Sequence, residues 1–205
     1  MKLLGMKKVR DGAYLKNYEL LYENRAGRPK TFELVSRKEL RGPQDLGKAV
    51  SGVSIVAFCG ERMLLLREFR MSLNREVFNL CAGMLEEGET VEDCVRRELF
   101  EETGLRTKRI IGLLPPSYSA VGFSDTKTCI AFVEAEGEVS DCASANEQIR
   151  ARFYDRDEVR ALLRAEEFSS RSQMAACCFA AGMGKEALAA LFPAEDVEEE
   201  GRNRE

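Results

Sequence analysis

The strongest constraint on the fold is a helix whose packing face carries acidic side chains. Thr90 and Gly104 are residue types that begin and end helices, so the sequence predicts a helix over residues 91–103. At about 100° per residue, Glu98 and Glu102 fall inside the apolar stripe of this helix. Two carboxylates on a packing face repel each other and resist desolvation, so either raised pKa values or bound cations must compensate them.

The alternative for a glutamate-rich helix is a solvated face with ion pairs one turn apart, which is the usual arrangement for such helices. The positions of Glu98 and Glu102 argue against it here, while Glu101 lies at the edge of the stripe. Clusters that offer only carboxylate oxygens suit Mg²⁺ or Mn²⁺. Arg97 is placed to pair with one of the acids and to orient it.

Composition narrows the possible chemistry. The chain has 205 residues and no histidine, which excludes Ser-His-Asp and Cys-His catalysis and removes the usual zinc ligand. The net charge of −4 gives no indication of nucleic-acid binding. Without a long apolar run or a secretory signal, we expect a cytoplasmic protein with no membrane partner. Seven cysteines without a C-x-x-C pair predict buried thiols in a reducing compartment.

The order of the predicted elements indicates an α+β fold. Two alternating segments between Tyr14 and Ser36 flank a turn and predict a β-hairpin. Later strands are predicted at "VSIVAF", "MLLLREFR", "EVFNLCAG", "RIIGLL", "TKTCIAFVEAEG" and "IRARFYD", and later helices at "RDEVRALLRAEEF" and "SSRSQMAACCFAAG". We divide the chain into an N-terminal hairpin region (1–50), a main domain (51–195) and a charged tail (196–205) that we expect to be disordered.

From Gly83 to Leu105 the sequence resembles the Nudix box. All nine constrained positions of that motif match, namely Gly83, Glu89, Arg97, Glu98, Leu99, Glu101, Glu102, Gly104 and Leu105. So many fixed residue types at fixed spacing make a highly specific motif. The resemblance implies a Nudix-type α/β/α sandwich around a mixed sheet. It also implies Mg²⁺-dependent hydrolysis of a nucleoside diphosphate linked to another group, with Mn²⁺ as an alternative ion.

The resemblance assigns roles to the acids of the box. Glu98 and Glu102 would be direct metal ligands, and Glu101 a ligand directly or through water. Glu89 would contribute a further acid, and Arg97 would orient the others. Bound ions would neutralise the pyrophosphate and lower the pKa of a water molecule that a base then aligns for attack. Glu101, Glu102 and Arg97 therefore belong to the expected catalytic set.

The segment "LLLREFRMSLNREVFNLCAGMLEEGE" is similar to the ADP-ribose pyrophosphatase branch of this family. On this match Arg70 would contact the substrate, and the backbone carbonyl of Ala82 would be a metal ligand. Gly83 would let the backbone approach whatever the glutamates hold. The N-terminal hairpin resembles a sheet that is exchanged between the subunits of a dimer, which implies a homodimer.

Two downstream segments resemble substrate loops of the same branch. "SYSAVGFSDT" resembles a loop over the terminal sugar, which implies substrate contacts by Ser119 and Phe123. "SANEQIRARF" resembles a mobile acidic loop that supplies the catalytic base, with Glu147 as the candidate. Three positions depart from the branch: Cys81 replaces a proline, Asn79 a glutamate, and Thr126 an acid.

The function implied is cleavage of ADP-ribose to AMP and ribose 5-phosphate. The nearest alternative is another nucleoside diphosphate sugar such as GDP-mannose, because one sequence does not reveal the residues that recognise the base. A non-catalytic nucleotide-sugar sensor is a further alternative, which the intact box and the absence of a helix-turn-helix pattern disfavour. Removal of oxidised nucleoside triphosphates is disfavoured by the N-terminal hairpin.

Overall fold

The computed structural model describes residues 1–140 and 146–192. Its ten strands within those residues are β1 Lys2–Asp11, β2 Lys16–Glu23, β3 Pro29–Ser36, β4 Val50–Cys59, β5 Arg62–Arg70, β6 Arg75–Asn79, β7 Cys81–Met84, β8 Arg106–Tyr118, β9 Lys127–Glu136 and β10 Ile149–Tyr154. Its α-helices there are α1 Val91–Thr103, α2 Arg156–Ala165, α3 Ser170–Ala180 and α4 Lys185–Ala189. The mixture of helices and strands confirms the predicted α+β class.

The chain forms two compact units. The first contains residues 1–52 and 116–129, and the second contains residues 53–115 and 130–205. The N-terminal region thus includes a later segment, residues 116–129, which the sequence analysis placed in the main domain. One contact that holds this segment is a hydrogen bond of 2.8 Å from the Val35 backbone N–H to the Phe123 carbonyl oxygen.

A three-stranded antiparallel sheet in the order β1-β2-β3 forms the body of the first unit. Alternate residues of its strands bury an apolar face around Tyr18, Leu20 and Leu34. The Tyr18 hydroxyl accepts a hydrogen bond of 2.8 Å from the Leu40 backbone N–H, which satisfies that buried oxygen. The predicted hairpin is therefore confirmed as β2 and β3.

The main sheet is mixed and has seven strands. The order of its central path is β10-β5-β4-β9-β8, while β6 pairs with β5 and β7 pairs with β4. Met63 and Leu65 on β5 pack with Val159 of α2 and Phe179 of α3 in one buried cluster. Because side chains alternate along a strand, the buried Leu64 and Leu66 lie on the opposite face of β5. Helix α1 contacts β7 and β10.

Three details differ from the prediction. Strand β1 was missed because it is an edge strand with two irregularities in its pairing and little alternation in its sequence. The predicted strand "EVFNLCAG" is two strands, because the Leu80 backbone N–H bonds to the Asn79 side chain instead of a neighbouring strand. Helix α4 was also missed.

The expectation that all the cysteines are buried was wrong in part. Cys81, Cys94 and Cys129 are buried, whereas Cys177 is exposed on α3 and two others are half-buried. Cys142 and the charged tail lie outside the described residues. None of the helices in the described ranges is long and apolar enough to span a membrane.

Candidate active site

Helix α1 holds the acidic side chains, and local chemistry determines both of its ends. The Thr90 hydroxyl accepts a hydrogen bond of 3.1 Å from the Asp93 backbone N–H at the first turn. Gly104 has φ of 72°, a left-handed conformation, and its N–H bonds back to the Phe100 carbonyl. The helix therefore begins and ends at the predicted residues. Its own side chains Cys94, Val95 and Leu99 are buried.

Arg97 connects four groups of the site. Its Nε and Nη2 donate to the two carboxylate oxygens of Glu89 at 2.8 and 2.9 Å, a bidentate pair. Its Nη1 donates to Glu98 at 2.8 Å and to Glu101 at 3.0 Å, and Nη2 also reaches the Met84 carbonyl oxygen. This pairing lowers the pKa of Glu89 to about 2 and raises the pKa of Arg97 further. Arg97 thus contacts Glu89, Glu98 and Glu101, and its orienting role stays a prediction.

Glu98 lies against the backbone of Gly83. A Cβ atom added to Gly83 would be 1.7 Å from the Glu98 carboxyl carbon, so no other residue type fits there without displacing the acid. The Glu98 side chain is only 12% exposed. Burial raises its pKa, Arg97 opposes that effect, and the charges of Glu101 and Glu147 add to it.

Glu102 is the most deeply buried acid of the site. Burial raises its pKa to about 8, although the Cys81 thiol and the Ala82 N–H both donate hydrogen bonds to it. The Ala82 N–H lies 3.2 Å from the Glu102 carboxylate oxygen. The charges of Glu98 and Glu68 also raise this pKa. Burial and the neighbouring Glu102 in turn hold the pKa of the Cys81 thiol well above its usual range.

A cavity of about 250 Å³ lies at the end of β5 and against residues 146–148. Its lining includes Glu68, Arg70 and Glu147. Because the charge of Glu147 acts on Glu98, this carboxylate lies within electrostatic range of α1. A wider cleft of about 440 Å³, lined by Leu73 and Phe168 among others, contains none of the predicted site residues. Arg70 and Glu147 thus line the same cavity, and their roles at the site stay predictions.

Ser119 and Phe123 belong to the first compact unit, not to the unit that contains α1. The Ser119 hydroxyl lies 3.1 Å from the Thr128 hydroxyl, and its N–H donates to the Thr126 carbonyl. The Phe123 side chain is 59% exposed. Their contacts with a substrate stay a prediction.

The donor chemistry of the site fits a hard divalent cation. Burial raises the pKa of both Glu98 and Glu102, and the charge of Glu98 raises the pKa of Glu102 further, so a cation bound here would stabilise both carboxylates. In the arrangement described, no three acidic, cysteine or histidine side chains among residues 1–140 and 146–192 are gathered as a ready metal site. Arg97 engages Glu98, and Ala82 and Cys81 engage Glu102.

Two residues of this site were missed from the sequence. They are Glu68, whose charge acts on Glu102, and Cys81, whose thiol donates a hydrogen bond to Glu102. The signal for Glu68 was present in "REFR", because residues two apart on a strand share a face and Glu68 thus lies beside Arg70. The Cys81 contact had no such signal, because it depends on how β7 and α1 pack.

Comparisons with known proteins identify the family. The NUDIX domain model matches residues 48–177. A putative nudix hydrolase 2 from Caenorhabditis elegans is 22% identical over 68% of this chain and 63% of its own length. An NAD-capped RNA hydrolase NudC from Mycobacterium bovis is 38% identical over 47% of this chain and 30% of its own. An ADP-ribose pyrophosphatase from Saccharomyces cerevisiae is 25% identical over 64% and 57%.

The chain spans less than two thirds of the length of each of these relatives. A crystal structure of an ADP compounds hydrolase superposes with a TM-score of 0.67 at 18% identity, covering 98% of this chain and 96% of that one. This similarity confirms the predicted fold. Since the box from Gly83 to Leu105 is complete and the family model covers most of the chain, the protein belongs to the Nudix family.

Proposed function

We propose that the protein is a Mg²⁺-dependent hydrolase of nucleoside diphosphate sugars, with ADP-ribose as the preferred substrate. The observation that carries this proposal is the pair of half-buried carboxylates, Glu98 and Glu102, beside a backbone that only glycine permits at Gly83. Such a pair is costly to bury and is stabilised by a cation. Family membership and the ADP-ribose pyrophosphatase among the relatives support the choice of substrate.

In this proposal Glu98 and Glu102 hold the metal, with Glu101 and the Ala82 carbonyl as further ligands. Bound Mg²⁺ supplies charge neutralisation at the diphosphate and activation of water; Mn²⁺ is the alternative ion. Arg97 holds Glu98 and Glu101 in position through the contacts described above. Gly83 leaves room for the Glu98 carboxylate against the backbone.

The remaining residues act on the substrate and the water. Arg70 binds a phosphate oxygen at the cavity. Glu147 accepts the proton of the attacking water. The water oxygen bonds to one phosphorus, the bond from that phosphorus to the bridging oxygen breaks, and the departing phosphate keeps the bridging oxygen. The products are AMP and ribose 5-phosphate.

A second candidate substrate is the diphosphate of an NAD-type group. The specific observation in its favour is the 38% identity to the NAD-capped RNA hydrolase over 105 residues, which exceeds the identity to the ADP-ribose pyrophosphatase. The diphosphate chemistry is the same in both candidates. Only the groups that recognise the second nucleoside or sugar would differ.

A substrate panel tests the proposal. ADP-ribose, NAD and GDP-mannose are incubated with Mg²⁺ and a phosphatase, and phosphate released from monoester products is measured. The Glu102→Gln variant removes a ligand and should abolish turnover, whereas Glu92→Gln alters an exposed acid on the same helix and should retain it. Preference for another substrate would retain the metal chemistry and reject ADP-ribose. No turnover of any substrate would contradict the enzymatic proposal.

We also propose that two copies of the chain form a homodimer through the N-terminal sheet. In the described sheet, β1 and β3 are edge strands, and Leu4, Val9 and Leu21 are exposed on or beside β1. Light scattering of the full chain should give a dimer, and the Leu4→Lys/Val9→Lys variant should give a monomer. A monomeric wild-type protein would contradict this proposal.

A further inference from the structure

Glu68, Arg70 and Asn79 lie on one face of the paired strands β5 and β6. In the register of this pair, Glu68 is opposite Val77, and Asn79 is opposite Leu66. Because residues two apart on a strand share a face, Glu68 and Asn79 are diagonal neighbours on the face that carries Leu66 and Arg70. This is the face opposite the one that packs on α2 and α3.

The Glu68 carboxylate is held between two donors. One oxygen accepts a hydrogen bond from Arg70 Nη1, and the other accepts one of 2.9 Å from Asn79 Nδ2. The Glu68 side chain is 15% exposed, whereas that of Arg70 is 47% exposed. The carboxylate is therefore the fixed member of this pair, and the arginine is the member that a ligand can reach.

Asn79 is itself held in one orientation. Its side-chain oxygen accepts hydrogen bonds from the Ser169 hydroxyl at 2.8 Å and from the Leu80 backbone N–H at 3.0 Å. These contacts leave the Asn79 amide nitrogen as the donor toward Glu68. A glutamate at position 79 would instead place a second negative charge beside Glu68. The asparagine that departs from the ADP-ribose pyrophosphatase pattern thus complements a carboxylate on the neighbouring strand.

Glu68 also borders the ligand space. It lines the cavity of about 250 Å³ together with Arg70 and Glu147, and its charge acts on Glu102. We propose that Glu68 is a positioning residue that holds the Arg70 guanidinium in this cavity for a phosphate of the substrate, with Asn79 as its anchor. The proposal rests on the function proposed above, because it takes a diphosphate as the ligand of Arg70.

The negative charge of Glu68 and its proposed positioning role predict opposite effects of Glu68→Gln on phosphate binding. Its negative charge alone repels a phosphate, so removing that charge would strengthen ligand binding. Loss of the orienting hydrogen bonds would leave the arginine unfixed and would weaken binding. Arg70 and Asn79 each donate to a different oxygen of Glu68. In Glu68→Gln one of these oxygens becomes an NH₂ group, which cannot accept a hydrogen bond, so one of the two contacts is lost.

The test is a double-mutant cycle between Glu68→Gln and Arg70→Ala. With Mg²⁺ and the preferred substrate, Glu68→Gln should raise KM about tenfold and leave kcat within about twofold. In the Arg70→Ala background, Glu68→Gln should change KM no further, since Glu68 acts through the arginine. The matched control is Glu76→Gln, which removes a carboxylate of similar exposure that bonds Arg67 and Arg150 on the other face of the same strands.

A binding measurement separates this inference from the proposed function. Calorimetric titration with α,β-methylene ADP and Mg²⁺ reports binding of a diphosphate without hydrolysis. If no substrate is turned over, but Glu68→Gln weakens binding in this titration only when Arg70 is present, the proposed function fails and the positioning role stands. Tighter binding in Glu68→Gln, equal effects of that change with and without Arg70, or no binding by the wild-type protein would each overturn the positioning role.

Discussion

The buried Glu102 carboxyl predicts an unusual dependence of stability on pH. Its pKa is about 8 in the folded protein against an ordinary value of 4.5. Between these values the unfolded chain has released the proton while the folded chain still holds it. The folded state therefore binds more protons, and the free energy of unfolding falls as the pH rises through this window. Glu102→Gln removes the titrating group and with it this part of the pH dependence.

The size of the effect follows from the separation of the two pKa values. Each unit of separation corresponds to about 1.4 kcal/mol, so between about pH 5 and pH 8 the wild-type protein should lose roughly 3 kcal/mol relative to Glu102→Gln. Near pH 5 the two proteins should have similar stability, and near pH 8 the variant should be more stable. Titrating groups far from Glu102 contribute equally to both proteins, so the difference reports Glu102 together with the neighbours that interact with it, such as Glu98 and Cys81.

The assay is urea denaturation of metal-free protein, followed by circular dichroism in EDTA at several pH values. The control is Glu92→Gln, an exposed acid on the same helix, whose stability should stay parallel to that of the wild type. Added Mg²⁺ should stabilise the wild-type protein and not Glu102→Gln, because a bound ion favours the ionised carboxylate. A wild-type minus variant difference that is independent of pH would refute the assignment of a raised pKa to Glu102.

Three further perturbations test neighbouring parts of the site. Gly83→Ala should lower kcat by about 100-fold while preserving helical content, because its Cβ would displace the Glu98 carboxylate; Gly5→Ala, where nothing lies within 4 Å of the new Cβ, is the control, and full activity of Gly83→Ala would contradict the packing argument. Arg97→Lys should reduce kcat at least tenfold in steady-state assays, since an ammonium cannot reproduce the bidentate pair; unchanged turnover would remove its orienting role. Thr90→Ala should cost about 1 kcal/mol in urea denaturation through loss of the helix cap; unchanged stability would show that the cap contributes nothing measurable.

Helix α1 shows which features local sequence is sufficient to predict. The cap at Thr90 and the left-handed Gly104 involve residues within one helical turn of each end, so their identities were sufficient to predict both ends. The same holds for the place of Glu98 and Glu102 on the packing face, which follows from the period of the helix. The contacts of Arg97 with Glu98 and Glu101 likewise connect residues close in sequence.

The contacts that depend on strand register could not be predicted from residues close in sequence. Asn79 appeared only as a departure from a family pattern, and its partner Glu68 is 11 residues away on another strand. Strand β1 was missed for a related reason, because an edge strand is stabilised by its partner more than by its own pattern.

The sequence alone therefore determined the acidic helix, its ends, the family motif and the α+β class, since these follow from local periodicity and fixed spacing. Only the tertiary structure decided that Cys81 and Ala82 bond Glu102, and that Glu68 lies between Arg70 and Asn79. Those contacts arise where separate elements pack, and packing depends on long-range pairing that no single segment specifies.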